Sequence, residues 1–372
     1  LHAAPTSEQP FELPDGAVCR LDARAQAPHR TVAEIGIGLD PEGAAIDPAG
    51  RRAYATCARS NSLAVIDLDE LEVVGEIGVG EEPIDASFDE VTGRVFVADM
   101  RSGTVSVVDA RRAELVASVE VPPYPSGVAQ DPTRRRLYCG SAAGTLTAID
   151  MDTLAKVGSA ECELGAGAVC VDLERNRVYC ANFLANSITL VDGETLASTG
   201  RLETGPAPCA MGLSVRGGHA YVVNSLADSI TRIDLERAEV VDEVKVGRAP
   251  VGLTVAPSGD RIYVGNRGAG TVSVVGVEDG VEWGRFPVGD GPAGCVVDPV
   301  SDRLVVSNAG SGSVTVIEDL LTGPVSRPRP VDHPLVGQSL PPFALPDVAA
   351  GTIRHSREWA EKLYILNFFA SW

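Results

Sequence analysis

The feature that most limits what this chain can fold into is a repeat. Tyr54, Phe96, Tyr138, Tyr179, Tyr221, Tyr263 and Val305 stand at equivalent places, at spacings of 42, 42, 41, 42, 42 and 42 residues. The unit is clearest at residues 261–275, RIYVGNRGAGTVSVV. Two apolar, β-branched runs flank Asn266-Arg267-Gly268-Ala269-Gly270, which reads as a hairpin with a glycine-containing loop. A lone hairpin is at best marginal in water, because ordering about fifteen residues costs on the order of 20 kcal/mol. Such a unit needs copies of itself to pack against, and the period supplies them.

The copy around Tyr263 shows four strand signals, at 240–246, 251–256, 261–266 and 271–275, parted by turns at 247–250 and 257–260 and the loop 267–270. Four antiparallel strands per ~42 residues make one propeller blade, so seven copies predict an all-β fold, a seven-bladed β-propeller of four-stranded antiparallel blades. Three recurrent features mark the turns. Asp-Pro follows the innermost strand at Asp47-Pro48, Asp131-Pro132 and Asp298-Pro299, where proline presets φ and the carboxylate bonds its own backbone. A short polar residue (Asp99, Ser141, Asn182, Asn224, Asn266, Asn308) sits three places after six of the seven anchors, where it is expected to cap the loop that follows. An acid closes the next strand (Asp67, Asp109, Asp150, Asp192, Asp234, Glu318); since it recurs in blade after blade, it reads as turn chemistry and not as a catalytic group.

The seventh copy lacks an outer strand after it, because residues 322–330 are rich in proline and cannot ladder centrally. The lone strand 31–38 near the N-terminus is predicted to fill that gap and join the two ends of the ring. Residues 17–24 also have strand character and leave open a remnant of an eighth blade. These motifs resemble the YVTN-type β-propeller repeat, with Tyr221-Val222-Val223-Asn224, Tyr263-Val264-Gly265-Asn266 and Val246-Gly247-Arg248-Ala249-Pro250 as the closest matches, over residues 31–319. The missing Gly-His and Trp-Asp pairs oppose a WD40 repeat. Trp283, Trp359 and Trp372 do not recur by blade, which opposes a tryptophan-docking quinoprotein.

Composition narrows the partners. A formal net charge of -20 repels nucleic acid and anionic lipid. No run of about eighteen apolar residues is present to span a membrane. The excess of arginine over lysine carries no functional weight by itself. Eight cysteines occur without any Cys-x-x-Cys, which removes the common zinc, haem c and thioredoxin spacings. Cys139 and Cys180 hold equivalent places and should point the same way, while Cys170 and Cys180 fall on opposite faces of one sheet; mostly free, structural thiols are expected. His29 and His219 are the only histidines in the propeller region and form no ligand motif, so no metal or other cofactor is expected. No nucleophile elbow or P-loop appears, and glycine-rich runs such as 265–270 are not followed by helices.

After a proline-rich linker at 321–334 the period is lost. Residues 336–372 read as Phe343-Ala344-Leu345-Pro346-Asp347, an extended 351–354, a helix at 357–363 capped by Ser356, and an apolar strand at 364–369. Gly337, Pro342, Phe343, Leu345, Pro346 and Asp347, then Leu366-Asn367-Phe368-Phe369-Ala370-Ser371-Trp372, resemble the opening of a TlpA-like redoxin domain of the thioredoxin-like class, with Phe369 where that family more often has Trp. In that family Cys-x-x-Cys follows. The resemblance thus implies a short, incomplete thioredoxin-like α/β segment at 335–372, the front of a thiol-disulfide oxidoreductase domain in a longer protein. The expected organisation is an N-terminal extension at 1–30, the propeller at 31–320, the linker, and this segment.

In such a propeller the turns before the innermost strands and the loops after the second strands share one face. That face collects Arg59, Arg101, Arg248, Arg267, Tyr124 and Phe183, with Glu81, Glu82 and Asp85, around the channel mouth. Arginines converging there could grip a carboxylate or an acidic loop of a partner. Arg267 is unshared at its place in the repeat. The expected function is a binding or scaffold module for a protein or small-molecule ligand in an exported bacterial protein; both resemblances imply a periplasmic or extracellular location. A lactonase-like hydrolase, since some lactonases resemble YVTN propellers, and a cell-surface adhesion propeller are the alternatives.

Overall fold

A computed structural model of the chain describes residues 11–12, 18–19, 29–321, 344–347 and 352–355. Seven four-stranded antiparallel sheets follow one another. Their innermost strands are Pro41–Asp47, Pro83–Asp89, Pro125–Asp131, Ala166–Asp172, Pro208–Ser214, Pro250–Val255 and Pro292–Val297, which pack side by side and bring the last back against the first. Blade six continues outward through Arg261–Asn266, Thr271–Gly276 and Glu282–Pro287. The outer strand read in the sequence at 240–246 is Glu239–Lys245, and it pairs with Ser229–Asp234 of blade five. The sequence unit therefore straddles two blades, because the chain passes from the outer edge of one sheet to the centre of the next.

That offset dictates how the ring closes. Blade seven takes its outer strand from the N-terminal side: His29–Gly36 pairs with Ser313–Asp319, with Ile35 opposite Val314. The closure expected of residues 31–38 is thus present with the strand begun two residues earlier. Of the strand signal at 17–24, Val18–Cys19 forms a two-residue ladder with Phe11–Glu12, and the rest lies outside the described residues. The propeller belongs to one compact unit, Gln26–Pro324. In the other unit, Ala344–Asp347 pairs antiparallel with Thr352–His355. The helix expected at 357–363 and the strand expected at 364–369 lie outside the described residues.

The apolar core lies between blades. Tyr54, Leu63 and Val65 of blade one pack on Val95, Val97 and Val108 of blade two, and similar clusters recur around the ring. A twisted sheet buried on both faces has continuous apolar runs, which is why the second and third strands carry them. The anchor tyrosines add polar ties: Tyr138 Oη donates to the Gly193 carbonyl at 2.6 Å, Tyr221 Oη to Val277 at 3.2 Å, and Tyr263 Oη to Asp319 at 2.8 Å, each in the next blade. Two residues before the anchor, Arg94, Arg136, Arg177 and Arg261 reach carbonyls of Met151, Gly193, Leu235 and Leu321, again in the next blade. Arginine suits this place because its long stem covers apolar surface while its head satisfies carbonyls.

In blade three the polar residue after the anchor caps its loop as expected, Ser141 Oγ accepting from Ala143 N at 3.2 Å, but in most blades it does something else. In blades four to seven, Asn182, Asn224, Asn266 and Asn308 are buried and donate through Nδ2 to hydroxyls five and seven residues on, for instance Asn266 to Thr271 at 3.1 Å and Ser273 at 2.9 Å. The loop itself closes by backbone, as Gly270 N to Asn266 O at 3.0 Å shows. The glycine of the preceding Val-Gly-x-x-Pro turn is required by this asparagine: a Cβ on Gly247 would overlap the Asn266 carboxamide. The strand-closing acids do serve turns. Asp67 accepts from the backbone of Asp69 and Glu70, Asp150 from Asp152 and Thr153, and Asp192 from Glu194 and Thr195. Backbone donors hold all three carboxyls below the usual carboxylate range.

Candidate binding face

One hydrogen bond per blade builds this face. The residue opening each loop donates its N–H to the third residue of the adjoining turn: Ala58 to Asp40, Met100 to Glu82, Ala142 to Tyr124, Phe183 to Gly165, Ser225 to Ala207, Arg267 to Ala249 and Ala309 to Gly291. The accepting residue has a left-handed backbone in all seven turns, φ 56° at Asp40, 61° at Tyr124 and 82° at Gly165 among them. A non-glycine residue held there pays roughly 1–2 kcal/mol. Alanine or a short acid loses little else, but Tyr124 is a bulky ring in that conformation and remains 58% exposed. Its packing within the fold therefore does not repay the strain, which marks it as a candidate contact.

Tyr124 lies beside Glu82, Met100 and Arg101, which with it line a cleft of about 340 Å³. Arg101 Nε donates to Glu82 at 3.0 Å, so the cleft presents a paired cation and anion against an aromatic ring and a thioether. Glu82 and Met100 also border the central channel, a cavity of about 710 Å³ whose wall includes Phe183, Leu184, Asp85 and Met211.

Neighbouring innermost strands approach closely because their third residue is small in six blades: Gly43, Gly127, Ala168, Ala210, Gly252 and Gly294. A Cβ on Gly252 would overlap the Ala293 carbonyl oxygen of the next blade. Blade two breaks the rule with Asp85. Its carboxylate accepts from Val128 N in blade three and from Ala86 N, each at 2.9 Å. Burial outweighs these bonds and pushes its carboxyl up to about 6.

The structure brings together part of the set expected from sequence. Arg101 and Tyr124 share the cleft, and Phe183 lines the adjoining channel. Arg267 is not free: its guanidinium forks onto Glu42 of blade one at 2.8 and 3.0 Å, reaching across blade seven. Burial raises the Glu42 carboxyl even though Arg267 opposes it. Arg248 is folded onto its own blade, Nε to the Gly268 carbonyl at 2.9 Å. Arg59 is exposed at its loop, and among the described residues its guanidinium, alone of the four rim arginines, has no hydrogen-bond or ion-pair partner. Glu42, Met100, Leu184 and Met211 were not picked out in sequence, though Glu42 follows Pro41 where the other innermost strands carry no charge at that place. Among the described residues no three His, Cys, Asp or Glu side chains are placed to hold a metal ion, and no helix is long and apolar enough to cross a membrane.

Fold and face together define a seven-bladed β-propeller with an acidic, apolar-walled channel mouth. No protein-family model matches the chain, and no curated protein matches it in sequence. Among solved structures of similar fold, a chain of the hydrazine synthase of Kuenenia stuttgartiensis superposes with a TM-score of 0.69 at 17% identity, covering 74% of this chain and 95% of that one. At that identity the likeness is one of fold.

Proposed function

We propose that this propeller is a binding module that takes a protein or small-molecule ligand at the cleft between blades two and three, over the channel mouth. The observation that carries the reading is Tyr124, a strained and exposed ring beside the Arg101–Glu82 pair. Aromatic and arginine side chains around a concave site are the groups that dominate recognition. We further propose that the module belongs to an exported bacterial protein with a YVTN-type repeat and works beside a thiol-disulfide oxidoreductase unit; the redoxin-like text of 336–372 supports this.

Affinity capture on the full chain, with partners identified by mass spectrometry and then titrated singly, tests the cleft. Tyr124→Gly, which also relieves the backbone, should weaken the bound partner at least about tenfold, the loss of one anchoring contact of ~1.4 kcal/mol or more, without lowering Tm. Unchanged affinity in Tyr124→Gly and Arg101→Ala would remove the cleft as the site. For the oxidoreductase unit, the gene beyond Trp372 should encode Cys-x-x-Cys within a few residues; a stop codon there rejects it.

A further inference from the structure

A second recurrence, eighteen residues apart, crosses every blade interface. Ile37 and Ala55, Val79 and Val97, Val121 and Cys139, Cys162 and Cys180, Thr204 and Val222, Val246 and Val264, and Val288 and Val306 hold matching places. The first of each pair is pinned to the earlier blade by its backbone N–H, as in Val79 to Asn61 O, Cys162 to Gly144 O and Val246 to Asp228 O, each at 2.9–3.1 Å. The second is fixed on the second strand of the later blade. Their side chains meet in the core between the blades: Val79 packs in the cluster of Val97, Val121 in that of Cys139, and Val246 in that of Val264. At the interface of blades three and four both members are cysteine, and Cys162 packs in the cluster of Cys180.

We propose that Cys162 and Cys180 form a redox-active thiol pair that closes into a disulfide stapling blade three to blade four. The local chemistry favours this direction of attack. Cys162 is partly exposed, whereas Cys180 is fully buried opposite Thr189. The neighbouring Cys180 thiol, aided by the Thr189 hydroxyl and opposed by burial, holds the Cys162 thiol below its ordinary range, while Cys180 is driven well above it. The Cys162 thiolate is therefore the nucleophile toward a small external disulfide. Its sulfur bonds to one sulfur of the oxidant and the other leaves as a thiolate that takes up a proton. Cys180 then loses its proton to solvent, attacks Cys162 Sγ, and expels the second thiol. Two protein thiols are oxidised and one external disulfide is reduced to two thiols.

The test exposes the folded full chain to oxidised glutathione, traps remaining thiols with iodoacetamide, and maps the peptides by mass spectrometry. The wild type should lose two thiols to a peptide pair joining Cys162 to Cys180, and its Tm should rise on oxidation. Cys180→Val, which installs the residue that Val97, Val222, Val264 and Val306 supply at this place, should keep the fold, stop at a glutathione adduct on Cys162, and show no such rise. A wild type that also stops at the Cys162 adduct, or that leaves both thiols free while folded, would overturn the pair.

Discussion

Asp99 stands where blades four to seven place asparagine, and the difference is one of charge alone. It is fully buried, accepts from Ser106 at 2.7 Å and Thr104 at 3.0 Å, and burial lifts its carboxyl to about 6 against those bonds. A folded value above the unfolded one of about 3.8 means the folded state holds the proton more tightly, so this group's cost is absent below pH ~4, grows through the window up to ~6, and is full above it. Asp99→Asn should therefore raise stability by about 2–3 kcal/mol at pH 8 and by little at pH 4, read from urea melts across that range. The amide would donate to Thr104 and Ser106 as Asn224 does to Ser229 and Thr231. The exceptional position was legible in the sequence, since Asp99 breaks a pattern. Arg267 was legible as unshared too, but its partner Glu42 lies 225 residues away and no local signal names it.

Blades adhere through repeated side-chain ties whose worth depends on burial. Arg51, in the first turn of blade one, reaches back to Asp298 of blade seven with bonds of 2.7 and 2.8 Å, and Asp298 is 1% exposed. Burial pushes that carboxyl up, yet Ser301 and Arg51 hold it below its usual range. Arg135 makes the same tie to Asp89 of blade two, and there Arg135 and Thr92 overcome burial to bring the carboxyl down to about 2. Stability from such a lowered acid is present above pH ~4 and is lost as pH falls toward 2. Arg51→Ala leaves a buried carboxylate unpaired and should cost about 3 kcal/mol. Arg101→Ala breaks a pair whose arginine side chain is 70% exposed, and should cost under ~0.5 kcal/mol in the same thermal melts. The spacing of Arg52, Arg94, Arg136, Arg177 and Arg261 two places before their anchors was visible in the sequence. Its reason was not, because each of these ties ends in the next blade.

The whole ring depends on one strand from the far end of the sequence. His29–Gly36 covers Ser313–Asp319, whose unpaired edge would otherwise face solvent. Removing residues up to 37 should therefore abolish the single cooperative unfolding transition and promote association on size-exclusion chromatography, whereas removing residues up to 25 should leave the melt in place. Periodicity indicated seven blades of four strands, because the unit is written locally and repeated, and the missing outer strand of the seventh copy pointed to the N-terminal strand that closes it. Strand boundaries moved by a residue or two, and the outer strand went to the earlier sheet, since pairing is decided by which edge is free. The tertiary structure decided the site. A rim of four arginines in the sequence became two locked onto Glu42 and Gly268, one paired to Glu82 beside Tyr124, and one exposed. Loop side chains from different blades meet only after the ring closes, so their pairing is a property of the closed ring and not of any repeat.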